Sequence, residues 1–92
     1  MVNDTIVIYD YPRSSYLELI VKDDTFNFIS DIYMYEDETS EVHYLLNKEE
    51  TAKVLKIMSY GDFIEFCRRV HLKGVLDFFK NNNIDYIIDA VF

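Results

Sequence analysis

The sequence predicts an α+β fold: a mainly antiparallel sheet of about five strands with two to three helices packed on one face, in the order ββββααα followed by a closing β. Two periodicities carry that expectation. Before Asn47 apolar side chains alternate with polar ones, as in half-buried strands, and after it they recur at i, i+3, i+4 and i+7, as in amphipathic helices. The closing residues 84–92 return to alternation. A chain of 92 residues with 50% hydrophobic and 16% aromatic side chains is long enough to bury about two thirds of its unfolded surface. One domain over residues 1–92, folded without metal or disulfide, is expected.

Residues 5–11 are rich in strand formers and end at Pro12, which lacks a ladder donor and starts a turn through Arg13, Ser14 and Ser15. Residues 16–22 put Leu17, Leu19 and Val21 on one face and Tyr16, Glu18 and Lys22 on the other, with Ile20 the apolar exception. Asp23 and Asp24 make a short turn. Residues 26–36 place Phe26, Phe28, Ile32 and Met34 on the core side, interrupted by Ser30, and Asp31, Tyr33 and Tyr35 opposite. After a charged loop over 36–40, residues 41–46 alternate Val42, Tyr44 and Leu46 against Glu41, His43 and Leu45.

Asn47 followed three residues later by Glu50 has the pattern of a capping box, so a helix is expected from Lys48 with Thr51, Val54, Leu55 and Met58 inward, stopping near Tyr60 and Gly61. Asp62 is then placed to cap a second helix with Phe63, Phe66, Cys67 and Val70 inward. The pattern restarts at Leu72, Val75, Leu76 and Phe79, predicting a third helical segment. Gly74 weakens that segment by about 1 kcal/mol relative to Ala unless it serves a close approach. Asn81, Asn82 and Asn83 suit a left-handed cap and turn. The last strand is expected to dock into the sheet.

Charge divides the chain as sharply as periodicity. The formal net charge is −8, and residues 1–47 hold ten acidic side chains against Arg13 and Lys22, whereas seven basic and seven acidic residues balance from Lys48 onward. The acidic half also carries six of the eight tyrosines. Nucleic acid and anionic lipid are bound largely through Lys and Arg, so both are disfavoured as partners. A single cysteine, the absence of a basic-then-apolar leader and the lack of an apolar run near 18 residues predict a cytoplasmic protein that does not span a membrane.

Catalytic chemistry finds little support. Cys67 sits on an expected apolar helix face, which suits a buried structural thiol; Arg68 and Arg69 would activate it only if it were exposed. His43 and His71 belong to no metal-binding spacing, and although Glu41 and His43 share a strand face, a solvated polar surface accounts for them. Two glycines cannot build a phosphate loop. No enzyme activity, cofactor or metal is expected. The basic cluster Arg68, Arg69, His71 and Lys73 fits a local charge balance, with Glu65 and Arg69 at i, i+4, better than an anion site.

What remains is the sheet face opposite the helices. Alternation assigns to it Tyr16, Glu18, Asp31, Tyr33, Tyr35, Glu41 and His43, with Asp37 and Glu38 at the rim. Tyrosine offers contact area at few frozen torsions, and carboxylates raise the on-rate of a basic partner. The same residues also suit a strand surface kept soluble by charge, so both readings stand at this stage. In size, charge and layout over the whole chain, the sequence resembles the small acidic immunity proteins that bacteria encode beside secreted toxins; phage-encoded inhibitors of nucleases and antitoxins share these traits. The resemblance implies an inhibitor of a basic partner such as a nuclease toxin. It rests on no shared motif, and no functional position is carried over from it. The alternatives are a structural or homo-oligomeric module, monomeric or weakly dimeric in solution, and a small ligand-binding protein.

Overall fold

The computed structural model describes residues 3–12, 14–33 and 39–91. Its elements are β1 (Asp4–Tyr11), β2 (Ser15–Lys22), β3 (Thr25–Tyr33), β4 (Thr39–Leu46), α1 (Lys48–Ile57), α2 (Tyr60–Asn81) and β5 (Ile87–Val91). The five strands form one antiparallel sheet whose spatial order is the chain order. The α+β class expected from the two periodicities is thus what forms, with α1 and α2 inserted between β4 and β5.

The two-residue turn from β2 to β3 uses Asp23 and Asp24 at φ 50° and 62°, the positive-φ pair that matches the twist of a tight hairpin. Register then puts Leu17, Leu19, Val21, Phe26 and Phe28 on the helix side, each at most 1% exposed. Across from them Val54, Phe63, Cys67, Val75 and Phe79 are fully buried. The rings of Phe26 and Phe63 stack at 5.3 Å, and Phe28 and Phe79 meet at 6.2 Å. Thr51, expected to face the core, does so with its hydroxyl satisfied: Oγ1 accepts from the Phe26 amide at 3.1 Å and donates to the Leu46 carbonyl at 3.4 Å. That pair ties α1 to the β3 and β4 ends.

The helix ends correct three expectations. Asn47 Oδ1 does accept from the Glu50 amide at 2.9 Å, but the reciprocal half of the capping box is lost because the Glu50 carboxylate turns to Lys53 Nζ at 2.6 Å. α1 ends at Ile57 rather than near Tyr60, since Met58 is already extended. The cap of α2 is Ser59, whose Oγ accepts from the Asp62 amide at 3.2 Å, so Asp62 lies inside the first turn, where its charge suits the helix dipole.

The second and third helical segments are joined as α2, but His71 within it stands at φ 62° and ψ −177°. The break therefore falls where the apolar pattern restarts. Gly74 serves the close approach this break creates: a Cβ there would lie inside contact distance of Val70 Cβ and 2.7 Å from its Cγ2. At the far end, Asn83 is left-handed at φ 55°, and the amides of Asn83 and Ile84 return to the carbonyls of Lys80 and Phe79 at 3.4 and 2.9 Å. This is a Schellman closure, and it drops Ile84, 3% exposed, into the core ahead of β5.

Candidate partner-binding face

In an antiparallel ladder, residues directly opposite share a face, so the register writes out the uncovered side of the sheet as rows. One row runs Asp10, Tyr16, Asp31 and Glu41; the next runs Val7, Glu18, Ile29, His43 and Asp89; the third runs Thr5, Ile20, Asn27, Leu45 and Ile87. Tyr16, Glu18, Asp31, Glu41 and His43, assigned to this face by alternation, are brought together on it. The backbone of Tyr33 pairs with Thr39. Tyr35, Asp37 and Glu38 lie outside the described residues.

The acidic end is internally organised. Tyr16 Oη donates to Glu18 Oε1 at 3.0 Å, and His43 Nε2 lies 3.6 Å from Glu41 Oε1. Burial first, then that hydrogen bond and the charges of Glu18, Asp31 and Asp10, push the Tyr16 hydroxyl up to about 12. Asp31 is also raised above the usual carboxylate range, by burial first and by Glu41 and Glu18 next, with His43 acting in the opposite sense. Two side chains on different strands thus respond to the same concentration of negative charge.

Three features of the face escape the alternation rule. Asp10 and Asp89 join the acidic set because β1 and β5 flank the strands that carry the rest. Val7, Ile20, Ile29, Leu45 and Ile87 add an apolar side, with Val7 46% and Ile87 68% exposed. The apolar exception at Ile20 and the outward Leu45 were its trace in the sequence. The third is the removal of two tyrosines. The register of β1 slips at Ile8, between Val7 and Tyr9, so Tyr9 and Tyr11 turn to the helix side, where they stack at 5.3 Å and meet the His71 ring at 4.9 and 6.0 Å. Arg68 holds the bulge through the carbonyls of Ile8 and Val7 at 3.3 and 3.1 Å, and Tyr9 Oη accepts from the Leu72 amide at 3.3 Å.

Arg68 and Arg69 of the basic cluster are engaged locally, but with different partners from those the spacing suggested. Glu65 Oε1 lies 3.9 Å from Arg68 Nη1 rather than pairing with Arg69, and the Arg69 guanidinium sits 5.7 Å over the Phe66 ring. Cys67 is fully buried and its thiol is pushed up to about 12 by burial, which leaves it chemically quiet. Among the described residues no three His, Cys, Asp or Glu side chains converge as metal ligands, and no helix is long and apolar enough to cross a membrane. Comparison with protein-family models, curated proteins and solved structures gives no match.

Proposed function

We propose that the uncovered sheet face is the docking surface for a basic protein, and that the chain is an immunity- or inhibitor-type module acting in the cytoplasm. The observation that carries this reading is the composition of the face. Asp10, Glu18, Asp31, Glu41 and Asp89 share it with His43 and with a single lysine, Lys22, at the opposite end beside the β2–β3 turn. An apolar area rimmed on one side by carboxylates has the anatomy of an interface, in which burial supplies affinity and complementary charge supplies on-rate and register. Tyr16 is the expected aromatic anchor; Tyr33, Tyr35, Asp37 and Glu38 belong to the proposed set on the alternation of the sequence alone. A nuclease toxin is the kind of basic partner this chemistry suits, and occupation of its positive surface is the mechanism of neutralisation.

The test is retention at low salt of a basic protein from the source cell by wild type and not by Glu18→Lys/Glu41→Lys, followed by stopped-flow association of the identified pair. The association rate is expected to fall at least about tenfold from low to high salt. A salt-independent rate, or equal retention by the charge-reversed variant, overturns the reading.

The exposed Ile87 and Ile88 on the edge strand β5, 68% and 59% accessible, favour a second reading, self-association through that edge. Antiparallel pairing of two β5 strands about their centre sets Asp89 against Asp89, which opposes it. A concentration-independent monomer in sedimentation equilibrium removes this reading.

A further inference from the structure

A cavity of about 300 Å³ opens at the end of the sheet where β4 passes into α1 and β5 begins. This is at the small end of the ligand-pocket range of ~300–1,000 Å³. Phe26, Leu46, Tyr86 and Ile87 supply apolar wall, and the charged residues that line it, Glu50 and Asp85, are both acidic. Two other polar atoms of the lining residues are already engaged: Asn47 Oδ1 caps α1 and the Thr25 hydroxyl donates to the Lys22 carbonyl at 2.6 Å. Glu50 is the unusual member. It is only 7% exposed, its Oε1 accepts from Lys53, and its Oε2 is shielded from water with no hydrogen-bond donor. A buried carboxylate oxygen without a partner is a costly arrangement that a second donor relieves.

The site is already compatible with an ammonium group. Lys53, about half exposed, reaches Glu50 and also donates to the Asn83 carbonyl at 3.1 Å. The hydrogen bond to Glu50, joined by the charges of Glu50, Asp85 and Glu49, holds the Lys53 ammonium above its ordinary range. Carboxylates therefore outnumber the one cation that meets them, and apolar wall lies beside them.

We infer that this cavity binds a primary ammonium group carried on an apolar stem. The stem packs against Phe26, Leu46, Tyr86 and Ile87, and the charge lies between Glu50 and Asp85. The chemistry admits two sources, a free small amine or a lysine side chain presented by a protein. The inference does not depend on the acidic sheet face, although Ile87 borders both.

The test is an NMR titration of the ¹⁵N-labelled full chain at constant ionic strength with n-pentylammonium, with 1-pentanol as the uncharged isostere, and with the peptide acetyl-Gly-Lys-Gly-amide. Pentylammonium is expected to give saturable shifts at Leu46, Asn47, Tyr86 and Ile87 and to bind at least tenfold more tightly than pentanol. Asp85→Asn, an exposed substitution that leaves the core untouched, is expected to weaken it at least threefold, and Glu50→Gln to weaken it further where the spectrum shows a folded chain. Binding of the peptide at the same residues assigns a protein lysine as the source; binding of pentylammonium alone assigns a free amine. Equal binding of pentanol, shifts spread over acidic residues throughout the chain, or binding unchanged by Asp85→Asn overturns the inference.

Discussion

Gly74→Ala is expected to destabilise this protein, the reverse of its effect in an ordinary helix, where the exchange gains about 1 kcal/mol of propensity. The reason is the turn at His71. A Cβ on residue 74 falls inside contact distance of Val70 Cβ and 2.7 Å from Val70 Cγ2, whereas carbon atoms rest at ~3.5–4.0 Å. Val70 Cβ is tied to the backbone, so no rotamer change removes the overlap. The two helical segments must part by about 1 Å to restore contact distance, and they carry Cys67 and Val75, both fully buried. Overpacking of this kind costs about 3 kcal/mol at the upper end of its usual range, and subtracting the propensity gain of about 1 kcal/mol leaves a net loss of about 2 kcal/mol. Urea denaturation followed by circular dichroism measures it as a lowered midpoint at unchanged slope. In a Val70→Gly background the same substitution should cost markedly less, a coupling that a double-mutant cycle isolates. A Gly74→Ala protein as stable as wild type, or more so, refutes the reasoning.

Three further outcomes are expected. His71 holds a backbone conformation that costs a non-glycine residue about 1–3 kcal/mol, so His71→Gly should be more stable than His71→Ala by about that amount less the extra freedom glycine gains in the unfolded chain. Both variants lose the ring contacts with Tyr9 and Tyr11, and equal urea midpoints would show that no strain resides there. The Asp31 carboxyl is raised by burial first and by Glu41 and Glu18; its ionisation therefore opposes folding, and the stability available with the proton bound is full below about pH 4 and lost as pH rises through the folded-state value. Asp31→Asn should raise the midpoint at pH 7 and leave it unchanged near pH 3, and a lowered midpoint at pH 7 would contradict this. Finally, Cys67 in the native protein should fail to react with a disulfide reagent such as dithionitrobenzoate and react fully in denaturant; rapid native labelling would mean that α2 opens far more readily than its burial implies.

Much of this fold was legible from local chemistry. The Asp23–Asp24 turn needs only residues that tolerate positive φ, the α1 start needs only Asn47 and three free amides, and the Asn-rich end of α2 needs only a left-handed position; each is decided within a few residues of chain. The inward and outward sides of β2, β3 and β4 follow from a period of two once one face is buried, and Tyr16, Glu18, Asp31, Glu41 and His43 came together for that reason. The choice of Ser59 over Asp62 as the cap was less legible, because both residues can cap and only the length of the α1–α2 connection selects between them.

The elements, their order and the acidic side of the sheet follow from local pattern, because periodicity and capping act over one or two turns of chain. Which way Tyr9 and Tyr11 face is set by long-range packing instead. One extra residue at Ile8, held by Arg68 from sixty residues away, turns Tyr9 and Tyr11 onto the helices, and a bulge stabilised by so distant a side chain leaves no periodic trace. The apolar area of the face was likewise decided by pairing: Ile20, Ile29, Leu45 and Ile87 are scattered along the chain and become neighbours only when hydrogen bonds between strands fix the register. The cavity beside Glu50 has the same origin, since its walls come from β3, β4, α1 and the approach to β5, and no segment carries it alone.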